Sequence, residues 1–212
     1  MERKVYKFSG KRIEKLNYLL SLPEDKDRTF GLIVFLHGAG ERGDDHSLIS
    51  VHGVPKYIEA GMKVDAAVVA PQCPDGTLWS HLTDEVHEFI EYIIREYHVD
   101  PKRVSITGIS MGGFGTWEMI TTYPEMFAAA APVCGGGIVW RAGCARSVPV
   151  RAYHGSADTV VPLYNSVQMV DALRRAGGNA SLTVFQDVGH NSWESAYETT
   201  NVISWLASAV KE

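Results

Sequence analysis

Six short, near-continuous apolar runs constrain the fold of this 212-residue chain more than any other feature. They are Leu32 to Leu36, Ala66 to Ala70, Val104 to Ile109, Ala128 to Val133, Val148 to Tyr153 and Leu182 to Phe185. A strand apolar at nearly every position has no face to offer to water, so it belongs in a parallel sheet covered on both sides. The intervening segments supply the cover. Thr83 is placed to cap a helix with Asp84 and Glu85 in its first turn, and Val86, Phe89, Ile90, Ile93 and Tyr97 form its buried stripe. Leu163 to Ala176 predicts a second helix, stopped by Gly177-Gly178, and Val202, Ile203, Leu206 and Val210 mark a closing one. Ahead of these, Leu16, Tyr18, Leu20 and Leu22 alternate, which predicts an antiparallel strand paired with Val5 to Phe8. The sum is an α/β sandwich with right-handed crossovers. No repeat, low-complexity tract or linker divides it, so residues 1–212 read as a single domain.

Composition narrows the function. At 45% hydrophobic and 21% charged residues the chain reads as a soluble globular protein. A net charge of −5 with no basic run argues against nucleic acid as a partner. Ala128 to Val133 is far too short for a membrane span, and the N-terminus lacks the apolar segment of a signal peptide. A cytoplasmic location is therefore expected, with secretion after removal of a signal still open. Three cysteines, Cys73, Cys134 and Cys144, are too few for a disulfide scaffold and have no zinc-ligand spacing. Cys134 and Cys144 flank one short loop and could pair in an oxidising compartment; buried, reduced thiols are the plainer reading. Nothing in the pattern fixes an oligomeric state.

Gly108-Ile109-Ser110-Met111-Gly112 carries the chemistry. It lies between the β-branched run Arg103 to Thr107 and the helical stretch Gly113 to Ile120. A G-x-S-x-G between strand and helix is the tight turn that lifts a serine hydroxyl clear of a sheet. A serine needs a base within hydrogen-bond reach, and of eight histidines His190 suits best, in a glycine-containing loop after the last apolar run. His37 and His154 each precede a glycine at a strand end, where a structural hydrogen bond is the expected role. His46, His52, His81, His87 and His98 stand in polar surroundings and are expected to be solvated. The imidazole needs a carboxylate, and Asp158, after the run ending at Tyr153, gives the chain order Ser110, Asp158, His190. Asp187 is the rival, and an Asx-turn before Pro162 is the alternative role for Asp158. The backbone N–H groups of Ala39 and Met111 are the candidate oxyanion hole. A phosphate-binding loop is disfavoured, because neither G-x-G-x-x-G nor a P-loop lysine is present.

Taken with Pro71-Gln72-Cys73-Pro74, Asp100-Pro101-Lys102-Arg103 and Gly189-His190, the stretches His37 to Asp44 and Gly108 to Gly113 resemble the α/β-hydrolase superfamily. More narrowly, the chain is similar to the phospholipase/carboxylesterase-like branch, with its feruloyl-esterase and depolymerase-like relatives. The resemblance implies an α/β-hydrolase fold, which fits the mostly parallel central sheet with helices on both faces and the N-terminal antiparallel strands read above; only Cys134 to Val148 separates the strand after the elbow helix from the next, too short a segment for a substantial lid. It also implies hydrolysis of a small carboxylic ester through an acyl-enzyme, with no metal and no cofactor. Serine at the nucleophile position argues against dienelactone hydrolases and haloalkane dehalogenases. Trp79 resembles an aromatic that lines the acyl pocket, with a core or rim tryptophan as its alternative; Trp140 and Trp193 are further candidates for substrate contact. Glu41, Arg42, Asp44 and Asp45 read as a solvated or internally paired loop. The alternatives in function are a serine peptidase of the same superfamily, which usually carries a propeller or cap, and a non-catalytic binding domain.

Overall fold

One eight-stranded sheet runs through the structure, a computed structural model that describes residues 1–8, 12–25 and 28–211. In chain order its strands are β1 (Glu2–Lys7), β2 (Lys15–Ser21), β3 (Phe30–Leu36), β4 (Ala66–Pro71), β5 (Val99–Ile109), β6 (Ala129–Val133), β7 (Val150–Gly155) and β8 (Ala180–Phe185). The spatial order is β1-β2-β4-β3-β5-β6-β7-β8. The β1–β2 and β2–β4 pairs are antiparallel and every later pair is parallel. The helices are α1 (Gly53–Glu59), α2 (Thr83–Glu96), α3 (Met111–Thr122), α4 (Tyr164–Arg175), α5 (Trp193–Thr199) and α6 (Val202–Ser208).

Burial on both faces explains the uninterrupted runs. In β3, Leu32, Val34 and Leu36 point into a core shared with Phe89 and Ile93 of α2, Trp117 and Ile120 of α3, and Met169 and Leu173 of α4. The intervening Ile33 and Phe35 point the other way, onto Val54 of α1, Tyr197 of α5 and Leu206 of α6. Because β2 lies between β1 and β4, its Leu16, Tyr18 and Leu20 join the first core while Leu19 joins the second.

Several expectations need correction. Thr83 does not cap α2; Leu82 holds that place, and the Thr83 hydroxyl donates to the Ser80 carbonyl at 3.2 Å. β5 begins at Val99, five residues before the apolar run, where the chain already pairs with Phe30. β8 is the sheet edge, so its side chains are largely half-buried or exposed instead of enclosed. Val210 lies beyond α6, which ends when Ala209 turns extended, and it is 58% exposed.

All parallel strands end on the same side, and the segments there bear Ser110, Asp158 and His190. Between β6 and β7 stand only residues 134–149, holding one 3-10 stretch (Val139–Ala145), so no helical cap crosses this side at that point. The tightest packing is here too. A Cβ on Gly112 would lie 1.9 Å from the Leu36 carbonyl oxygen, and one on Gly108 would lie 2.3 Å from the Gly112 oxygen. Gly40, in the neighbouring loop, has nothing within 4 Å of the same point. Gly112→Ala should therefore lower unfolding free energy by about 2 kcal/mol or more. Gly40→Ala should stay within about 0.5 kcal/mol. Urea unfolding checks both, and equal losses would contradict the packing argument.

Candidate active site

Ser110 sits between the end of β5 and the start of α3 at φ 53° and ψ −116°, a conformation that L-residues rarely hold. Such strain costs on the order of 1–3 kcal/mol and persists only when the surroundings over-determine it. The Ser110 N–H donates to Val133 O at 3.0 Å, and its carbonyl accepts from Phe114 N–H at 3.0 Å. Held from both sides, the residue presents its Oγ to His190, whose Nε2 lies 2.9 Å away.

The relay continues through the imidazole. His190 Nδ1 lies 2.8 Å from Asp158 Oδ2. The Asp158 side chain is fully enclosed, while His190 is 20% exposed. Burial pushes the Asp158 carboxyl up, but hydrogen bonds from His190 and from the Val161 and Val160 N–H groups outweigh it and hold the group below the usual range. Oδ1 accepts both backbone N–H groups at 2.9 Å. Asp187 is exposed and at φ 57°, and its own N–H donates to Ser156 Oγ.

Ala39 and Met111 each begin a helical turn, the first of a 3-10 stretch (Ala39–Glu41) and the second of α3. The first N–H groups of such turns lack an intrahelical acceptor. Both residues line one pocket with Ser110, a cavity of about 570 Å³ that also takes Leu78, Trp79, Phe114, Gly136, Ile138 and Glu118. The loop bearing Ala39 is tied down by buried bonds. His37 Nδ1 lies 2.6 Å from Gly38 O, and its Nε2 accepts from Cys73 N–H at 2.9 Å. Burial pushes His37 down to about 4, which keeps the ring neutral. The Glu41 carboxylate accepts the Gly38 N–H at 2.7 Å, and Arg42 donates to Ala39 O, so this acidic loop is paired internally.

The three tryptophans part company. Trp79 is 2% exposed and donates its indole N–H to His37 O at 2.9 Å, so it is a core residue that also walls the pocket. Trp193 stands edge-on to His190, with ring centroids 5.5 Å apart, and backs the imidazole from outside the pocket. Trp140 is 86% exposed and does not line the pocket, because the 3-10 stretch turns it outward. The wall residues that sequence reasoning missed are Leu78, Phe114, Ile138 and Glu118. Met111, Phe114 and Glu118 fall at helical spacing on one side of α3, and that was the available signal.

The other histidines are structural or peripheral. His154 is fully buried, bonded through both ring nitrogens, and its Nε2 lies 3.3 Å from Asp158 Oδ2. His81 and His98 are exposed, but His46, His52 and His87 are half-buried instead of solvated; His52 packs on Trp193 and His87 stacks on Tyr123. Cys73, Cys134 and Cys144 are unbridged, and Cys144 is exposed. Among the described residues, Cys134, Asp158 and His190 bring three possible metal-ligand atoms within 4.8 Å of one another. Burial pushes the Cys134 thiol up to about 12, so it keeps its proton, and the other two groups already hold each other. That donor set fits a relay with a thiol behind it better than a resident metal ion. Among the described residues, no helix is long and apolar enough to cross a membrane.

Comparison with known proteins shows the family. A family profile described as phospholipase/carboxylesterase matches residues 70–206, more than half of the chain. A solved thermostable esterase is 33% identical at a TM-score of 0.86, covering 99% of this chain and 63% of that one. A bifunctional acetylxylan esterase/xylanase of Neocallimastix patriciarum is 34% identical over 79 residues, which is 37% of this chain and 12% of that protein. A probable acetylxylan esterase A of Aspergillus fumigatus is 34% identical over 92 residues, 37% of this chain and 25% of the other. The chain thus spans a quarter or less of either relative. A feruloyl esterase module from Clostridium thermocellum shares the fold, at 16% identity and a TM-score of 0.74 over 99% of this chain and 90% of that one.

The two aspartates can be separated by experiment. Asp158→Asn should slow labelling of Ser110 by a fluorophosphonate by around 10⁴-fold, because an amide favours the wrong imidazole tautomer. Asp187→Asn should stay within a few-fold of the parent. The reverse ranking, with both variants folded by circular dichroism, would move the acid to Asp187.

Proposed function

The chain belongs to the phospholipase/carboxylesterase family, and we propose that it is a serine carboxylesterase acting on short-chain or aryl carboxylic esters through an acyl-enzyme. The observation that carries this reading is the chain of contacts from Ser110 Oγ through His190 to Asp158, at 2.9 and 2.8 Å, opening onto an apolar pocket. Neutral His190 takes the Ser110 proton as Oγ attacks the ester carbonyl. Asp158 stabilises the imidazolium that forms. The oxyanion is held by the N–H groups of Ala39 and Met111, each such donor typically contributing about 3 kcal/mol to transition-state stabilisation. The imidazolium then protonates the departing alcohol, and a water activated by His190 releases the acid. The reading calls for no metal and no organic cofactor.

The pocket supports the choice of substrate. Trp79, Phe114 and Ile138 offer flat and branched apolar walls, and the lining also takes in Glu118, eight residues along α3 from Ser110, whose carboxylate pairs with Arg141. An alkyl chain that reaches that ion pair gains no further burial, whereas each methylene against the wall gains at most about 0.8 kcal/mol. Acetylxylan esterases and a feruloyl esterase module among its relatives and fold neighbours agree with small or aromatic acyl groups. Three unpaired cysteines, one of them exposed, support a reducing, cytoplasmic setting.

Three measurements test the reading. Ser110→Ala should remove ester hydrolysis by on the order of 10⁶-fold while leaving circular dichroism unchanged; activity kept within tenfold sinks the mechanism. The rate should rise with pH, since only a neutral imidazole accepts the serine proton; a flat profile contradicts it. Among p-nitrophenyl and methyl esters, kcat/KM should peak at roughly two to six acyl carbons or at aryl acids such as ferulate. A preference for about twelve carbons, with a rate jump above the micelle threshold, would reveal a deeper tunnel than the Glu118–Arg141 pair allows.

A further inference from the structure

We propose that His154 is a positioning residue for the triad: its Nε2–H pins the turn that carries Asp158 and lies against the carboxylate oxygen that holds His190. The proposal rests on the esterase reading above and assigns a role to a histidine that reading leaves unused.

The ring comes from the penultimate residue of β7 and is fully buried. Its Nε2 lies 2.9 Å from the Val161 carbonyl oxygen, and a carbonyl only accepts, so Nε2 carries a proton. The same nitrogen is 3.3 Å from Asp158 Oδ2, the atom that also meets His190 Nδ1 at 2.8 Å. Val161 is therefore held from both sides, its C=O by His154 and its N–H by Asp158 Oδ1 at 2.9 Å. Nδ1 lies 2.8 Å from Ser166 Oγ, in the first turn of α4, and that oxygen stands 3.1 Å from Gly135 O. Gly135 packs against the backbone of Gly113, where its Cβ would come within 2.5 Å. One ring thus couples β7, the 158–161 turn, α4 and the loop behind the elbow.

The N–H end of His154 thus stands beside the same carboxylate oxygen that meets His190 Nδ1. Asp158 is faced by His190, by His154, by the Cys134 thiol and by the Val160 and Val161 N–H groups. His154 is faced by Asp158, by Ser166 and by the Val161 carbonyl. The N–H end draws on the negative charge of the carboxylate. Without it the carboxylate binds the His190 proton more tightly, and the imidazole becomes a free base only at higher pH. A looser 158–161 turn also blunts the alignment of His190 with Ser110, which lowers kcat more than substrate binding.

The experiment measures kcat and KM against pH for the parent chain, His154→Leu and His154→Gln. His154→Leu should lower kcat by about tenfold with KM within about twofold. It should also move the rising limb of the profile up by about half to one pH unit. His154→Gln, which keeps an N–H within reach of Val161 O and Asp158, should restore the limb. A folded His154→Leu with an unmoved limb overturns the role. Nitrogen-15 spectra of the parent chain give a readout that needs no variant: a protonated Nε2 on His154 is expected, and a bare Nε2 overturns the proposal. Failure of a fluorophosphonate to label Ser110 in the parent overturns the esterase reading itself. Labelled Ser110 with an unmoved limb overturns only the role of His154.

Discussion

The close approach of α3 to the ends of β3 and β5 is the constraint on which the rest of the structure depends. With no side chain at Gly108 or Gly112, the helix starts directly against the Leu36 carbonyl. That contact forces Ser110 into positive φ and lifts its hydroxyl out of the sheet. It also begins α3 at Met111 and brings the end of β3, with Ala39, alongside, so Ser110 and both candidate donors share one pocket. Burial of Trp117 and Ile120 behind the turn offsets the strain.

What could be read from sequence was what two-sided burial writes in unbroken letters. β3, β4 and β6 are enclosed on both faces, so their apolar runs mark them almost to the residue. The sheet margins were harder. The edge strand β8 is half-exposed and begins two residues before its apolar run, and β5 starts in the charged Asp100-Pro101-Lys102 segment. Val210 continued an apolar period beyond a helix that had already ended. The order of Ser110, Asp158 and His190 was legible because each follows a recognisable strand. The pocket was not, because Leu78, Phe114 and Ile138 come from three separate segments. Trp140 shows the converse error: proximity in sequence to the glycine loop says nothing about which way a 3-10 turn aims its side chains.

The groups around the site divide the proton chemistry by environment. Burial holds His37 neutral, where its two ring nitrogens fix the loop of Ala39 through Gly38 and Cys73. Burial likewise keeps the Cys134 thiol protonated. The Asp158 side chain is also enclosed, yet the N–H donors around it reverse the effect and hold the carboxyl below its usual range. Trp79 packs edge-on against the His37 ring, donates to the His37 backbone carbonyl and also forms pocket wall. In the proposed mechanism proton transfer is thereby left to His190, which is both partly open to solvent and within reach of Ser110.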